Sequence, residues 1–113
     1  MAGMVWTFDA TEDLINLRNE YREEFENALN TEHAAIWDGI ATEINNIHPA
    51  QVTGRQCQVK WATLVRGYEN SRRIRVGNPE GFPIRSPNRF DVAFYHLMRD
   101  EFWLPRGIND SLI

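Results

Sequence analysis

Val52-Thr53-Gly54-Arg55-Gln56-Cys57-Gln58-Val59-Lys60-Trp61-Ala62-Thr63-Leu64-Val65-Arg66-Gly67-Tyr68-Glu69-Asn70 is the stretch on which the reading of the chain turns. Thr53 is a good helix N-cap, and Gln56 three residues later completes a capping-box pattern. At about 100° per residue, Cys57, Trp61, Leu64, Val65 and Tyr68 fall on one side, the core stripe of an amphipathic helix. The opposite side carries Arg55, Val59, Ala62, Thr63, Arg66, Asn70 and Arg73. A helix that lies in a DNA groove needs this mixture: cations for phosphates, short side chains for close approach, polar tips for base edges. An ordinary core helix with a solvated face shows the same pattern, so the stretch alone leaves both readings open.

The 113 residues fit one domain with a modest core, expected to span the whole chain 1–113. A hydrophobic content of 42% is ordinary for a globular protein. No apolar run approaches the roughly 20 residues that cross a bilayer, and the first residues lack the basic end and apolar run of a signal peptide. Cys57 is the only cysteine, which excludes an intrachain disulfide and a zinc site built on several thiolates. The net charge of −4 argues against indiscriminate nucleic-acid binding. Its distribution is uneven, however. Residues 1–50 hold two arginines against ten carboxylates, whereas residues 51–113 hold ten cations against six. Between Thr53 and Arg75 six cations face one acid, Glu69.

Working outward, the order of elements predicts an all-α chain. Asp9 with Glu12 reads as a capping box, and Leu14, Leu17, Arg18, Tyr21, Phe25 and Leu29 recur at helical spacing, so the first helix is expected over residues 10–29. Its outer face carries Glu20, Glu23, Glu24 and Glu26. A second helix starts at Asn30-Thr31-Glu32, shows the stripe Trp37, Ile40, Ala41, Ile44, and ends at Asn45-Asn46 ahead of Pro49. The third helix frays around residues 71–75. A basic loop follows at about 76–86, carrying Arg85 among its glycines and prolines. Ser86-Pro87 then reads as N-cap and first helical position of a fourth helix over 87–103. Its stripe of Phe90, Phe94, Leu97, Met98 and Phe102 is too apolar to stay bare and is expected to pack on the first two helices. Residues 108–113 read as a short loose tail.

One large aromatic per helix, Trp6 ahead of the first, then Trp37 and Trp61, is how a three-helix domain of this size fills its core. The pattern resembles the Myb/SANT superfamily, and more closely the Myb/SANT-like domain of the trihelix type. The resemblance is carried by Trp6-Thr7, Leu14-Ile15 with Arg18 and Phe25, Ile36-Trp37-Asp38-Gly39-Ile40-Ala41, and Gly54-Arg55-Gln56-Cys57 through Lys60-Trp61 and Leu64 to Tyr68. It covers roughly residues 5–70, and Phe94-Tyr95-His96-Leu97-Met98 looks like the trihelix type's fourth helix. It implies a three-helix, helix-turn-helix-like core at about 5–75 whose third helix enters the major groove of double-stranded DNA. It also implies a nuclear module of transcriptional or transposon-related regulation. Carried over by position, the base-facing slots are Gln58, Val59, Ala62 and Thr63, with Arg66 further along. At Val59 and Ala62 the sequence departs from Myb repeats, which usually place polar residues there.

The expected mechanism is phosphate contact by Lys60, Arg66, Arg72 and Arg73, with base readout by Arg55, Gln58 and Thr63, and Asn70 on the same face. The alternative is a SANT-like protein-interaction module that meets a chromatin or transcription partner through the acidic face of the first helix or the exposed side of the fourth. Catalysis is not expected. His33, His48 and His96 are scattered, Cys57 lies on the core stripe, and Gly77-x-x-x-Gly81 lacks the lysine of a phosphate-binding loop. No cofactor, metal or small-molecule substrate is therefore expected.

Overall fold

Thr53 opens the longest helix as its sequence demands. Its hydroxyl accepts from Gln56 N at 3.1 Å while Gln56 Oε1 accepts from Thr53 N at 2.9 Å. In the computed structural model, which describes residues 6–105, the chain forms α1 (Phe8–Glu20), α2 (Arg22–Asn27), a 3₁₀ turn (Asn30–Glu32), α3 (His33–Ile47), α4 (Gly54–Val76) and α5 (Arg89–Met98). No strand occurs among the described residues, and the expected tail at 108–113 lies outside them. The all-α class is as expected; several boundaries are not.

The first helix is two. It starts from Thr7, whose Oγ1 accepts from Ala10 N at 3.1 Å, so Asp9 is a first-turn acid rather than the cap. Thr11, fully buried, fixes this start by donating its hydroxyl to Thr7 O at 2.6 Å. The helix breaks at Tyr21, whose hydroxyl donates to Glu43 of α3, and resumes as α2 so that Phe25 packs against Trp37 at 5.0 Å between ring centroids. It ends at Asn27, leaving Leu29 outside the stripe and 70% exposed. Arg18 is buried between the two halves, its guanidinium 3.9 Å from the Phe25 ring and 5.6 Å from Trp61. Burial pulls its pKa down to about 10, with Glu26 opposing the shift.

α3 runs one residue past Asn45-Asn46, to Ile47. Asn45 stays helical and brackets the following turn: its amide donates to Val52 O and accepts from Val52 N, each at 2.9 Å. This turn brings α4 against α3 so closely that a Cβ on Gly54 would stand 2.2 Å from Asp38 Oδ1 and 2.8 Å from Asp38 N. Only glycine fits that crossing. The core then assembles from Leu14, Ile15 and Leu17 of α1, Trp37, Ile40, Ala41 and Ile44 of α3, and Cys57, Trp61, Leu64 and Tyr68 of α4. Fully burying side chains of this size stabilises by about 1.5–3 kcal/mol each.

α4 does not fray at 71–75 but continues to Val76, ending at Gly77 with φ 135°, a conformation open to glycine. α5 begins later than Ser86-Pro87. Asn88 is its cap, accepting from Asp91 N at 2.9 Å while Asp91 accepts from Asn88 N at 3.0 Å. Tertiary docking decides this start. Asp91 is buried against Gly67, where a Cβ would lie only 2.0 Å from its Oδ1, and it pairs with Arg85 at 3.1 Å. α5 packs on α4 and α1, not on α3: Phe94 and Met98 enter the core, and Phe90 meets Phe8 edge-to-face at 4.9 Å. It stops at Met98 rather than at Trp103. Glu101 takes a φ of 54° in the turn that follows, accepts from the Tyr68 hydroxyl at 2.6 Å, and so lets Phe102 become fully buried.

Candidate nucleic-acid interface

α4 is 23 residues long, about 35 Å at 1.5 Å per residue. Its core side is sealed by α1, α3 and α5, which leaves one strip facing out. Arg55, Gln58, Val59, Ala62, Thr63 and Arg66 are all exposed on that strip, with Arg73 half-exposed at its far end. The structure thus brings together seven of the ten residues expected at the interface. Val59, 51% exposed, is the apolar member. Thr63 donates its hydroxyl back to Val59 O at 3.2 Å and accepts from Arg66 Nη2 at 3.3 Å. These are exposed, long bonds that a competing base edge can replace. Arg55, Arg66 and Arg73 form no ion pair among the described residues.

The other three stand elsewhere. Asn70 points inward: it is 5% exposed, its amide donates to Arg85 O at 2.8 Å, and its carbonyl accepts from Arg85 N at 3.0 Å. The helical wheel puts it beside Thr63, but the loop at residues 79–88 folds back over that edge and consumes the side chain. Arg72 is nine residues from Thr63, roughly half a turn round the helix at about 100° per residue. It pairs with Glu101 at 3.2 Å, the carboxylate that also takes the Tyr68 hydroxyl. Lys60 lies at the margin, half-buried, with Nζ 4.2 Å from the centroid of the Phe90 ring. Burial lowers its pKa, against the pull of the Asp91 charge. A cation over an aromatic face keeps its charge while losing part of its hydration.

The outer strip is therefore cationic, shallow and free of bulky side chains, with Glu69 its one exposed acid near the middle. Its chemistry is that of a surface offered to a polyanion with readable edges. A model of the Myb/SANT-like DNA-binding domain family matches residues 3–100, which include all five α-helices. The chain belongs to the Myb/SANT-like DNA-binding domain family. No curated protein and no solved structure matches the chain.

For this Myb/SANT-like domain the family assignment supports a DNA-binding role, in a family of binding modules. No described helix is long and apolar enough to cross a membrane. Cys57 is fully buried, and burial pushes its thiol pKa up to about 11, opposite to what a nucleophile needs. The sequence marks Arg85 and Arg89 as cations of a basic loop but does not bring that loop to α4; the structure does so through Asn70, which holds both backbone groups of Arg85.

Proposed function

We propose that this Myb/SANT-like domain is of the trihelix type and binds double-stranded DNA with α4 lying in the major groove, in a nuclear regulator of transcription or of transposon origin. One observation carries the reading. The strip Arg55, Gln58, Val59, Ala62, Thr63, Arg66, with half-exposed Arg73 at its end, faces out along one side of a helix whose other side is core, and its three arginines form no ion pair among the described residues. A helix is about 10–12 Å across with side chains, the width of the major groove. Arg66 and Arg73 then meet phosphates. Arg55 and Gln58 supply the forked donors and acceptors that suit guanine and adenine edges, and Val59 and Ala62 touch thymine methyls. With two apolar slots, discrimination falls at the low end of the usual range of about 10³–10⁷.

The test is a titration of labelled mixed-sequence duplex from about 50 to 200 mM salt, with Arg66→Gln beside the parent. Binding with a steep log-log salt slope, lowered by about 0.9 in the variant, is expected. No binding even at about 50 mM would sink the proposal. The protein-contact reading through Glu20, Glu23 and Glu24, all exposed, would then lead.

A further inference from the structure

Residues 79–88 form neither helix nor strand, yet they are tied down along their length. Asn78 brackets the turn at their start, donating to Phe82 O at 2.7 Å and accepting from Phe82 N at 3.2 Å. Arg73 of α4 lies over the Phe82 ring at 4.6 Å. Asn70 holds both backbone groups of Arg85, the Arg85 side chain pairs with buried Asp91, and Asn88 caps α5. The segment is thus a fixed lip beside the outer strip of α4. Between lip and helix runs an open groove of about 470 Å³, lined by Thr63, Arg66, Asn70, Arg73, Ile84 and Arg85, with Glu69 the carboxylate on its wall.

The cations continue past the groove. Arg89 lies over Phe8 at 5.3 Å and Phe90 at 5.5 Å, and the same Phe90 ring carries Lys60 at 4.2 Å. Neither Arg66, Arg73 nor Arg89 has a carboxylate at ion-pair distance among the described residues. Arg85 is paired with Asp91, but its side chain remains 52% exposed and a guanidinium has donors to spare. The charges do not converge on a point. Arg66 and Arg73 alone stand seven residues apart, about 10 Å along the helix. A small free anion needs cations gathered round one centre, whereas a row of this length matches a chain of regularly spaced anions.

We propose that the lip and the start of α5 together form a second DNA-contacting element. Arg85 and Arg89 hold the phosphodiester backbone of one strand as it runs along the margin between α4 and the lip, while the outer strip of α4 enters the adjoining major groove. The inference rests on the α4 reading above and adds to it. It makes Asn70 a positioning residue, since its amide sets where the lip stands relative to the helix that reads the bases.

The experiment compares salt slopes for the full chain carrying Arg89→Gln, Arg66→Gln or Arg22→Gln on duplexes of two unrelated sequences. Arg89→Gln is the deciding variant because Arg89 is exposed, lies over two aromatic rings and forms no ion pair among the described residues. It is expected to lower the slope by about 0.9 on both sequences, so that the parent loses about 3.5-fold more affinity than the variant between about 50 and 200 mM salt. Arg22→Gln, on α2 and bonded to Asn19, is expected to leave the slope alone. Arg85→Gln added to Arg89→Gln is expected to lower it further, read only if the thermal midpoint shows the domain folded; otherwise Arg89→Gln decides alone. An unchanged slope for Arg89→Gln beside a lowered one for Arg66→Gln overturns the lip and leaves α4 standing. A change in sequence preference by Arg89→Gln also overturns it, because a phosphate contact carries no sequence information. Unchanged slopes for both variants, or no duplex binding at all, remove lip and α4 reading together.

Discussion

Replacing Gly67 by alanine sets two effects of opposite sign against each other. Gly67 lies in the interior of α4, where alanine is favoured over glycine by about 1 kcal/mol. A Cβ there, however, would stand 2.0 Å from Asp91 Oδ1 and 2.8 Å from its Cγ. Restoring ordinary contact, about 3.5 Å, asks for a displacement of about 1.5 Å. The carboxylate cannot simply turn away. It is buried, accepts from Asn88 N at 3.0 Å, and pairs with Arg85 at 3.1 Å, so α5 and the lip must move with it. Overpacking costs about 1–3 kcal/mol, and leaving the buried Asp91 carboxylate short of a hydrogen-bond partner about 1–3 kcal/mol more. Together these outweigh the propensity gain, and a net loss of roughly 2–4 kcal/mol is expected. At about 4 °C per kcal/mol for a domain of this size, the thermal midpoint falls by roughly 8–16 °C. Gly39→Ala is the matched control, because it too is helical but a Cβ there meets nothing within 4 Å. Its midpoint should rise by about 4 °C on propensity alone. Thermal melts followed by circular dichroism decide the matter: a Gly67→Ala midpoint that rises beside that of Gly39→Ala would refute the reasoning.

Other outcomes follow from the same geometry. Trp61→Ala removes a ring that is 7% exposed and packed on Phe102 and Trp103, and should cost about 3–5 kcal/mol; a midpoint shift of a degree or two would contradict the packing. The Cys57 thiol has a folded pKa of about 11, above its ordinary 9.0, so the stability it contributes is present below pH 9 and lost as pH rises through 11. Denaturant midpoints of the parent should therefore fall more steeply over that range than those of Cys57→Ala, and parallel curves would count against it. Arg72→Gln should leave the DNA salt slope unchanged, since Arg72 is turned away from the strip and paired with Glu101; a drop of about 0.9 would put it on a phosphate after all.

Much of this architecture could be read from residue order. Thr53 and Gln56 gave the start of α4 because a capping box is satisfied within four residues and needs no tertiary help. Trp37, Trp61, Ile40 and Leu64 were core because nothing but a core accommodates them at that period. The errors share a different cause. The helix breaks at Tyr21 inside a continuous helical pattern, where α2 turns so that Phe25 meets Trp37, and the Tyr21 hydroxyl meets Glu43, far along the chain. Ser86-Pro87 satisfied every local rule for a helix start, but Asp91 had to reach Gly67 and the start moved to Asn88. On the outer side of α4, periodicity placed Arg55, Val59, Ala62, Thr63, Arg66 and Arg73 together, and the family resemblance added Gln58; all seven lie along one side in the structure. Periodicity failed at Asn70 because a wheel records angle alone and cannot show that another segment covers that angle. Asn45 was misread in the same way, as a helix stop. An asparagine on a helix can bond both backbone groups of a passing segment, and the residue that does so looks from sequence like any polar surface position.

The meeting of Phe8 with Phe90 and Phe94 bears on how the chain finds this structure. α3 and α4 are sequence neighbours, joined by a short turn that Asn45 brackets, and their contact requires only a small loop to close. Joining α1 to α5 closes nearly the whole described chain into a ring, and the entropy of that closure rises with loop length. The helical pair crossing at Gly54 is the natural nucleus, and the α1–α5 seam the last part to set. We expect Phe94→Leu to act chiefly by speeding unfolding and Trp37→Phe by slowing folding, a division that chevron plots would reverse if the seam formed first.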